Sequence, residues 1–158
     1  MNDPRRSTRP GDNADGVADG APIVLLPPGR YLVKFVGWST CLYLNRQPKV
    51  KLQFQVCDAG CHQGAMLERW YNVKALIGQP RNCGRFRYGQ RSALFREYCG
   101  LAGDIGRWDR LSLSALKPKL LAAQVRTVTT DNRQKQLHPR AHYSVIDSLQ
   151  LATELRQT

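Results

Sequence analysis

The sequence predicts a mainly β fold, in which five strands form a small barrel and one helix lies between the third and fourth strands. Two patterns lead to this prediction. Apolar and polar residues alternate strictly over Val50–Val56, which is typical of a strand with one buried and one solvated face. A stripe with helical spacing follows at Leu94, Phe95, Tyr98 and Leu101, and alternation returns after it. A chain of 158 residues is long enough for one domain with a hydrophobic core.

The first two strands are the longest predicted elements. The first is expected from Arg30 towards Leu44, where apolar and polar side chains alternate. Gly37 in its middle indicates a bend or a bulge, as a small barrel needs at its corners. The turn Asn45–Lys49 then connects it to the second strand, Val50–Val56.

The third strand is predicted near Met66–Val73. Its adjacent residues Trp70 and Tyr71 must face opposite sides of a sheet, so we expect one in the core and the other on the surface. The loop Gly78–Arg91, rich in glycine, arginine and aromatic residues, leads from this strand to the helix. Ser92 is the expected N-cap of that helix.

The last two strands follow the helix, which is expected to end at Gly100 or Gly103. The fourth strand is predicted at Lys119–Thr129 and the fifth at Ala141–Leu151, with a polar and basic turn, Thr130–Arg140, between them. Three strands, a helix and two strands is the element order of an OB-type barrel. The fold class predicted is therefore a five-stranded OB-type barrel with one helix between strands 3 and 4.

The domain boundary is predicted near residue 22. Residues 1–22 are polar and rich in proline and glycine, which is typical of a disordered N-terminal arm, and residues 23–158 form the predicted domain. The sequence shows no apolar secretory signal and no apolar run of the roughly 20 residues that cross a bilayer, so the expected compartment is the cytoplasm. A membrane partner is not expected, because no basic amphipathic helix is present.

The charge balance indicates a polyanionic partner. The chain has 24 Lys and Arg against 12 Asp and Glu, and residues 1–22 hold three Arg and four Asp. Residues 23–158 therefore carry 21 basic and 8 acidic side chains, a net charge of +13. Such an excess opposes compaction by self-repulsion and is typical of proteins that bind nucleic acid. The alternative explanation of the positive charge is that it only keeps the protein soluble.

Catalysis, cofactors and metals are not predicted. The sequence has no paired carboxylates, nucleophile motif or phosphate-binding glycine loop, so the protein is not expected to be an enzyme. The five cysteines are expected to be reduced thiols. A zinc site built on Cys57, Cys61 and His62, with Cys83 and Cys99 further along the chain, is the alternative, but its spacing lacks the usual C-x-x-C pair.

The segment Arg85-Phe86-Arg87-Tyr88 is the sharpest local signal for binding. Guanidinium groups pair with phosphates while aromatic rings stack on unpaired bases. The alternative is that Phe86 and Tyr88 pin the loop to the barrel. Trp38 is four residues from Lys34, so in a regular strand the two side chains face the same side, and Trp38 is a further candidate for the solvated face. Trp70 is another candidate. For both residues the alternative is burial in the core.

The remaining candidates are basic residues on the surface that OB barrels use. Their ligand face combines strands 2 and 3 with the loops between strands 1 and 2 and between strands 4 and 5. The predicted nucleic-acid-binding residues are Lys34, Trp38, Arg46, Lys49, Lys51, Gln53, Trp70, Arg81, Arg85, Phe86, Arg87, Tyr88, Arg91, Lys119, Arg126, Arg133, Lys135 and Arg140.

Three stretches resemble a known family. Pro28–Val33, Leu116–Leu121 and Arg140–Ile146 are similar to segments of OB-fold single-stranded-DNA-binding proteins of phages, plasmids and integrating conjugative elements, over roughly residues 28–150. The resemblance implies a non-catalytic protein that binds single-stranded DNA and serves replication, recombination or transfer of a mobile element. RNA binding by the same face, and an interaction module or inhibitor that docks on an acidic protein, remain open, as does homo-oligomerisation.

Overall fold

The computed structural model describes residues 25–103, 107 and 109–152. The predicted arm at residues 1–22 lies outside these ranges. One antiparallel sheet has the strand order β3-β2-β1-β6-β7, and β4 and β5 form a separate hairpin. The strands are β1 (Gly29–Tyr43), β2 (Gln47–Val56), β3 (Met66–Asn72), β4 (Ala75–Ile77), β5 (Arg85–Arg87), β6 (Leu120–Val128) and β7 (Tyr143–Leu151).

The predicted mainly β architecture with five sheet strands and one helix is confirmed. Helix α1 (Ala93–Ala102) lies between the third and fourth strands of the large sheet, β3 and β6. Short 3₁₀ turns at Leu113–Leu116 and Pro139–Ala141 precede β6 and β7. The hairpin of β4 and β5 is a correction, because the sequence predicts no strand at residues 75–77 and only a loop over residues 78–91. Each of these strands has three residues, too few for a two-residue period to stand out.

Strand β1 is the centre of the sheet and changes partner along its length. Residues Gly29–Lys34 pair with β6 and residues Val33–Tyr43 pair with β2, so that Val33 and Lys34 have a partner on each side. The register shifts between Phe35 and Gly37, which confirms the bulge predicted at this glycine. Because a bulge adds one residue to the strand, side chains beyond it face the opposite side from the one that simple parity predicts.

The core lies between the sheet and α1. Leu52, Phe54 and Val56 on β2 are buried, as the alternation predicts. The helical stripe is buried too, and the Ser92 hydroxyl accepts a hydrogen bond from the Phe95 amide at 3.2 Å, so the predicted N-cap is confirmed. Gly103 ends the helix with a φ of 75°, a backbone conformation that favours glycine.

Side chains connect the two outer strands of the sheet, β3 and β7. Arg69 on β3 donates to the Ile146 carbonyl on β7 at 2.8 Å and pairs with both carboxylate oxygens of Glu97 on α1 at 3.0 Å. Tyr71 donates its hydroxyl to the same carboxylate. Burial, and then the negative charge of Glu97, raise the pKa of the Tyr71 phenol. No backbone ladder joins β3 to β7, so these side chains hold the two edges near each other.

Candidate functional site

The register of β1, β2 and β3 aligns a row of side chains on the side of the sheet away from the core. Ser39, Lys51 and Trp70 lie opposite one another across the three strands, and Cys41, Lys49 and Asn72 form the next row. We call this surface the outward face. Its members are Lys34, Ser39, Cys41 and Tyr43 on β1, Gln47, Lys49, Lys51, Gln53 and Gln55 on β2, and Met66, Glu68, Trp70 and Asn72 on β3.

Trp70 is the most exposed ring of the outward face, with 46% of its surface accessible. The Lys51 ammonium lies 5.6 Å from the ring centroid and 3.3 Å from a carboxylate oxygen of Glu68. The indole nitrogen of Trp70 donates to the other oxygen of Glu68 at 3.2 Å. Tyr71, its neighbour, is buried, so the prediction that one of the pair faces the core is confirmed. These contacts orient the Trp70 ring while leaving it open to solvent.

Tyr43 is a second exposed ring of the outward face, which the sequence prediction missed. It is 39% exposed, and the Lys49 ammonium lies 4.5 Å from its centroid. Its hydroxyl accepts a hydrogen bond from the Asn132 amide at 3.0 Å. Asn132 belongs to the loop between β6 and β7, residues 129–142, so this loop meets the β1–β2 hairpin at Tyr43.

The β1–β2 hairpin tip, Leu42–Arg46, and the β6–β7 loop bring predicted basic residues together. Arg46, Arg133 and Lys135 are exposed. Asp131 accepts from the backbone amides of Arg133 and Lys135 at 2.8 and 2.9 Å, so its carboxylate shapes the loop that carries them. The two loops therefore place cations beside the outward face.

Trp38 faces the core, and the prediction of a place on the solvated face is wrong. It lies opposite Leu52 in the ladder, because the bulge before it reverses the parity shared with Lys34. Its indole nitrogen donates to the Gly84 carbonyl at 2.9 Å, and its ring stacks on Phe35 at 6.4 Å. Trp38 therefore anchors a loop to the sheet.

The loop that Trp38 holds carries several predicted arginines. The Thr40 amide donates to the Arg81 carbonyl, and the Cys83 amide donates to the Trp38 carbonyl, both at 2.9 Å. Gly84 fits closely, because a Cβ there would collide with the Thr40 hydroxyl and lie 3.1 Å from the Arg81 carbonyl. The segment is thereby fixed along β1, and the side chain of Arg81 is exposed.

In the Arg85–Tyr88 segment the charged side chains and the aromatic rings have different environments. Arg85 and Arg87 are exposed, whereas Phe86 packs against the core cluster. Tyr88 stacks on buried Phe95 with centroids 5.4 Å apart, and burial raises the pKa of its phenol. The accessible edges of both rings line a cleft of about 790 Å³. This geometry favours the alternative in which the rings pin the segment to the sheet.

Other predicted residues lie away from the outward face or serve the fold. Lys119 donates to the carbonyl of Ala102 at the end of α1, where a cation also complements the helix dipole. Arg126 pairs with Asp147 at 3.0 Å. Arg91 and Arg140 are exposed, the first before α1 and the second in the turn before β7.

The described residues place no three of His, Cys, Asp and Glu together as metal ligands, and their five cysteines are free thiols. No helix in this part of the chain is long and apolar enough to span a bilayer. Comparison with known proteins assigns no family: no family model, curated protein or solved structure matches the chain. Its function must therefore be inferred from its residues and their geometry.

Proposed function

We propose that this protein binds single-stranded nucleic acid, with DNA as the expected strand, on its outward face and without catalysing a reaction. The observation that carries the proposal is the pair of exposed rings, Trp70 and Tyr43, each with a lysine ammonium close to it. An aromatic ring stacks on a base only where the base is unpaired, and the adjacent ammonium is then placed to meet the phosphate. A duplex offers phosphates but no free base faces.

We further propose that the sheet is an OB-type barrel that is open between β3 and β7. The position of α1 and the proximity of the two outer strands support this assignment. In OB barrels the ligand lies on strands 2 and 3 and between the loops that join strands 1–2 and 4–5. The corresponding parts here are the outward face, the hairpin tip and the β6–β7 loop, where the exposed rings and cations occur. The resemblance to mobile-element proteins favours a role in replication, recombination or transfer.

The charges of these three surfaces fit a phosphate backbone. They hold seven cations, Lys34, Arg46, Lys49, Lys51, Arg133, Lys135 and Arg140, and two carboxylates, which gives a net charge of +5. Both carboxylates already have partners, because Glu68 binds Lys51 and Trp70 while Asp131 binds backbone amides. The attraction for phosphates therefore outweighs the repulsion.

The experiment is a fluorescence-anisotropy titration with single-stranded DNA, duplex DNA and RNA of equal length. We expect Trp70→Ala to weaken single-strand binding by about 1–3 kcal/mol, the usual contribution of one stacked base. Met66→Ala is the matched control, because Met66 lies on the same strand and face and is 37% exposed but has no ring. We expect it to change the affinity less than about twofold, which is under 0.5 kcal/mol.

The outcomes separate the alternatives. Equal losses for the two variants would refute stacking by Trp70. Tighter binding of RNA than DNA would assign the face to RNA. Absence of binding to every oligonucleotide would refute the proposal and favour an interaction module that docks on an acidic protein.

A further inference from the structure

The hairpin tip has a backbone that suits its sequence poorly. The Arg46 amide donates to the Tyr43 carbonyl at 3.1 Å, which closes a tight turn over Leu44 and Asn45. Both central residues have left-handed backbones, with φ of 52° and 58°. Turns of this kind favour asparagine and glycine at both positions, since other L-residues are strained there. Asn45 follows that preference and Leu44 does not.

Leu44 is also 76% exposed, the highest value among the large hydrophobic residues of the described chain. A single exposed leucine is ordinary on a protein surface. Here, however, the side chain stands at the apex of a hairpin in a backbone that glycine would adopt without strain. Neither burial nor local conformation accounts for a leucine at this position.

The apex is surrounded by positive charge. Arg46 belongs to the same turn, and Lys49 lies over the ring of Tyr43. The hydrogen bond from Asn132 to Tyr43 brings the loop that carries Arg133 and Lys135 to the tip. An apolar tip among cations matches a nucleic acid, in which phosphates surround a stack of apolar base faces. Apolar side chains that enter between bases unstack them.

We propose that Leu44 is a wedge that enters between bases where a single strand joins a duplex, so that the protein opens duplex ends as it binds. This inference rests on the proposed function. Lys51, beside Trp70, lies four residues from Gln47 at the base of the tip, about 13 Å along the strand. A strand held on Trp70 therefore reaches the tip within a few nucleotides, and a duplex that follows it meets Leu44.

The test uses the full-length protein and a short DNA duplex with a single-stranded tail, which carries a fluorophore and a quencher at the junction. We expect the wild type to open the junction and Leu44→Gly to reduce opening at least fivefold. Binding to the single-stranded tail alone should change less than twofold, because the contacts proposed to hold the tail are the exposed rings and the cations and not Leu44. Leu44→Gly should melt at the same or a higher temperature, because glycine relieves the strained turn. Leu44→Met, which keeps an apolar tip, should retain most of the opening.

The controls distinguish failure of the wedge from failure of single-strand binding. If Leu44→Gly opens the junction as well as the wild type, the wedge is refuted. The wedge is also refuted if the wild type binds the tail but leaves the junction closed. In that case the proposed single-strand binding is still supported. If the wild type binds no single strand, both proposals fail. Self-association that Leu44→Gly abolishes, without any junction opening, would assign the tip to contact between copies of the chain and overturn the wedge.

Discussion

Removing the carboxylate of Glu97 should destabilise the fold strongly. Arg69 and Glu97 are only 21% and 16% exposed, and two hydrogen bonds of 3.0 Å join them. Glu97→Ala leaves the guanidinium without its counter-ion and the Tyr71 hydroxyl without its acceptor. Breaking a buried pair in this way costs about 3–5 kcal/mol, and the residual exposure lowers our expectation to about 2–4 kcal/mol. The free energy of unfolding in urea measures the loss.

Asp147→Ala is the matched control. Its partner Arg126 also lies at 3.0 Å, but the two side chains are 58% and 56% exposed, so we expect a loss below about 1 kcal/mol. The double substitution Arg69→Met with Glu97→Leu should recover much of the stability, because it leaves no unpaired charge. Equal losses for Glu97→Ala and Asp147→Ala would show that the Arg69 pair does not hold β3 to α1 and β7. Because Trp70 lies between Arg69 and Tyr71, single-strand affinity should be measured on the same variants where they remain folded.

Three further predictions concern solution conditions. Because the pKa of Tyr71 is raised in the folded protein, its contribution to stability is complete below pH 10 and is lost as the pH rises above 10, by up to about 1.4 kcal/mol per pH unit. The free energy of unfolding, measured at pH 8, 10 and 11, should therefore fall less in Tyr71→Phe than in the wild type. Equal losses in the two proteins would contradict the assignment. Single-strand affinity should fall with a log–log salt slope of about −3 to −4 if roughly five phosphates are neutralised, whereas a flat dependence with intact binding would exclude the phosphate backbone as the main contact. EDTA should change neither the melting temperature nor the affinity; stoichiometric zinc, with unfolding upon chelation, would overturn this expectation.

The strands and the helix could be predicted because each buries one face. The alternation in β2 and the stripe of α1 follow directly from that burial, and Ser92 carries its own capping signal. The β4–β5 hairpin could not be predicted, since its strands owe their position to the Arg81–Gly84 segment fixed along β1 rather than to a pattern of their own.

The bulge at Gly37 explains the main errors in the predicted site. The glycine indicates a bulge, but strict alternation of side chains from Lys34, without the extra residue, places Trp38 on the solvated face and Tyr43 on the core face. With the bulge included, the same alternation turns Trp38 inward and Tyr43 outward, as the ladder shows. The contact between Asn132 and Tyr43 joins residues 89 positions apart, and no local pattern carries such information.

The Arg85–Tyr88 segment tests how far local composition predicts a role. Its arginines are exposed and its rings are packed, so the two kinds of side chain should respond differently to substitution. Phe86→Ala should cost about 1–3 kcal/mol of stability, less than the 3–5 kcal/mol of a fully buried ring, with little change in affinity per folded molecule. The double variant Arg85→Gln with Arg87→Gln should keep its melting temperature, bind single strands more weakly, and have a salt slope shallower by about 1.4, since each lost phosphate contact removes about 0.7. Melting temperature and affinity must be measured on the same proteins. If Phe86→Ala melts like the wild type but loses single-strand affinity, Phe86 is a stacking platform and its packing against the core is secondary.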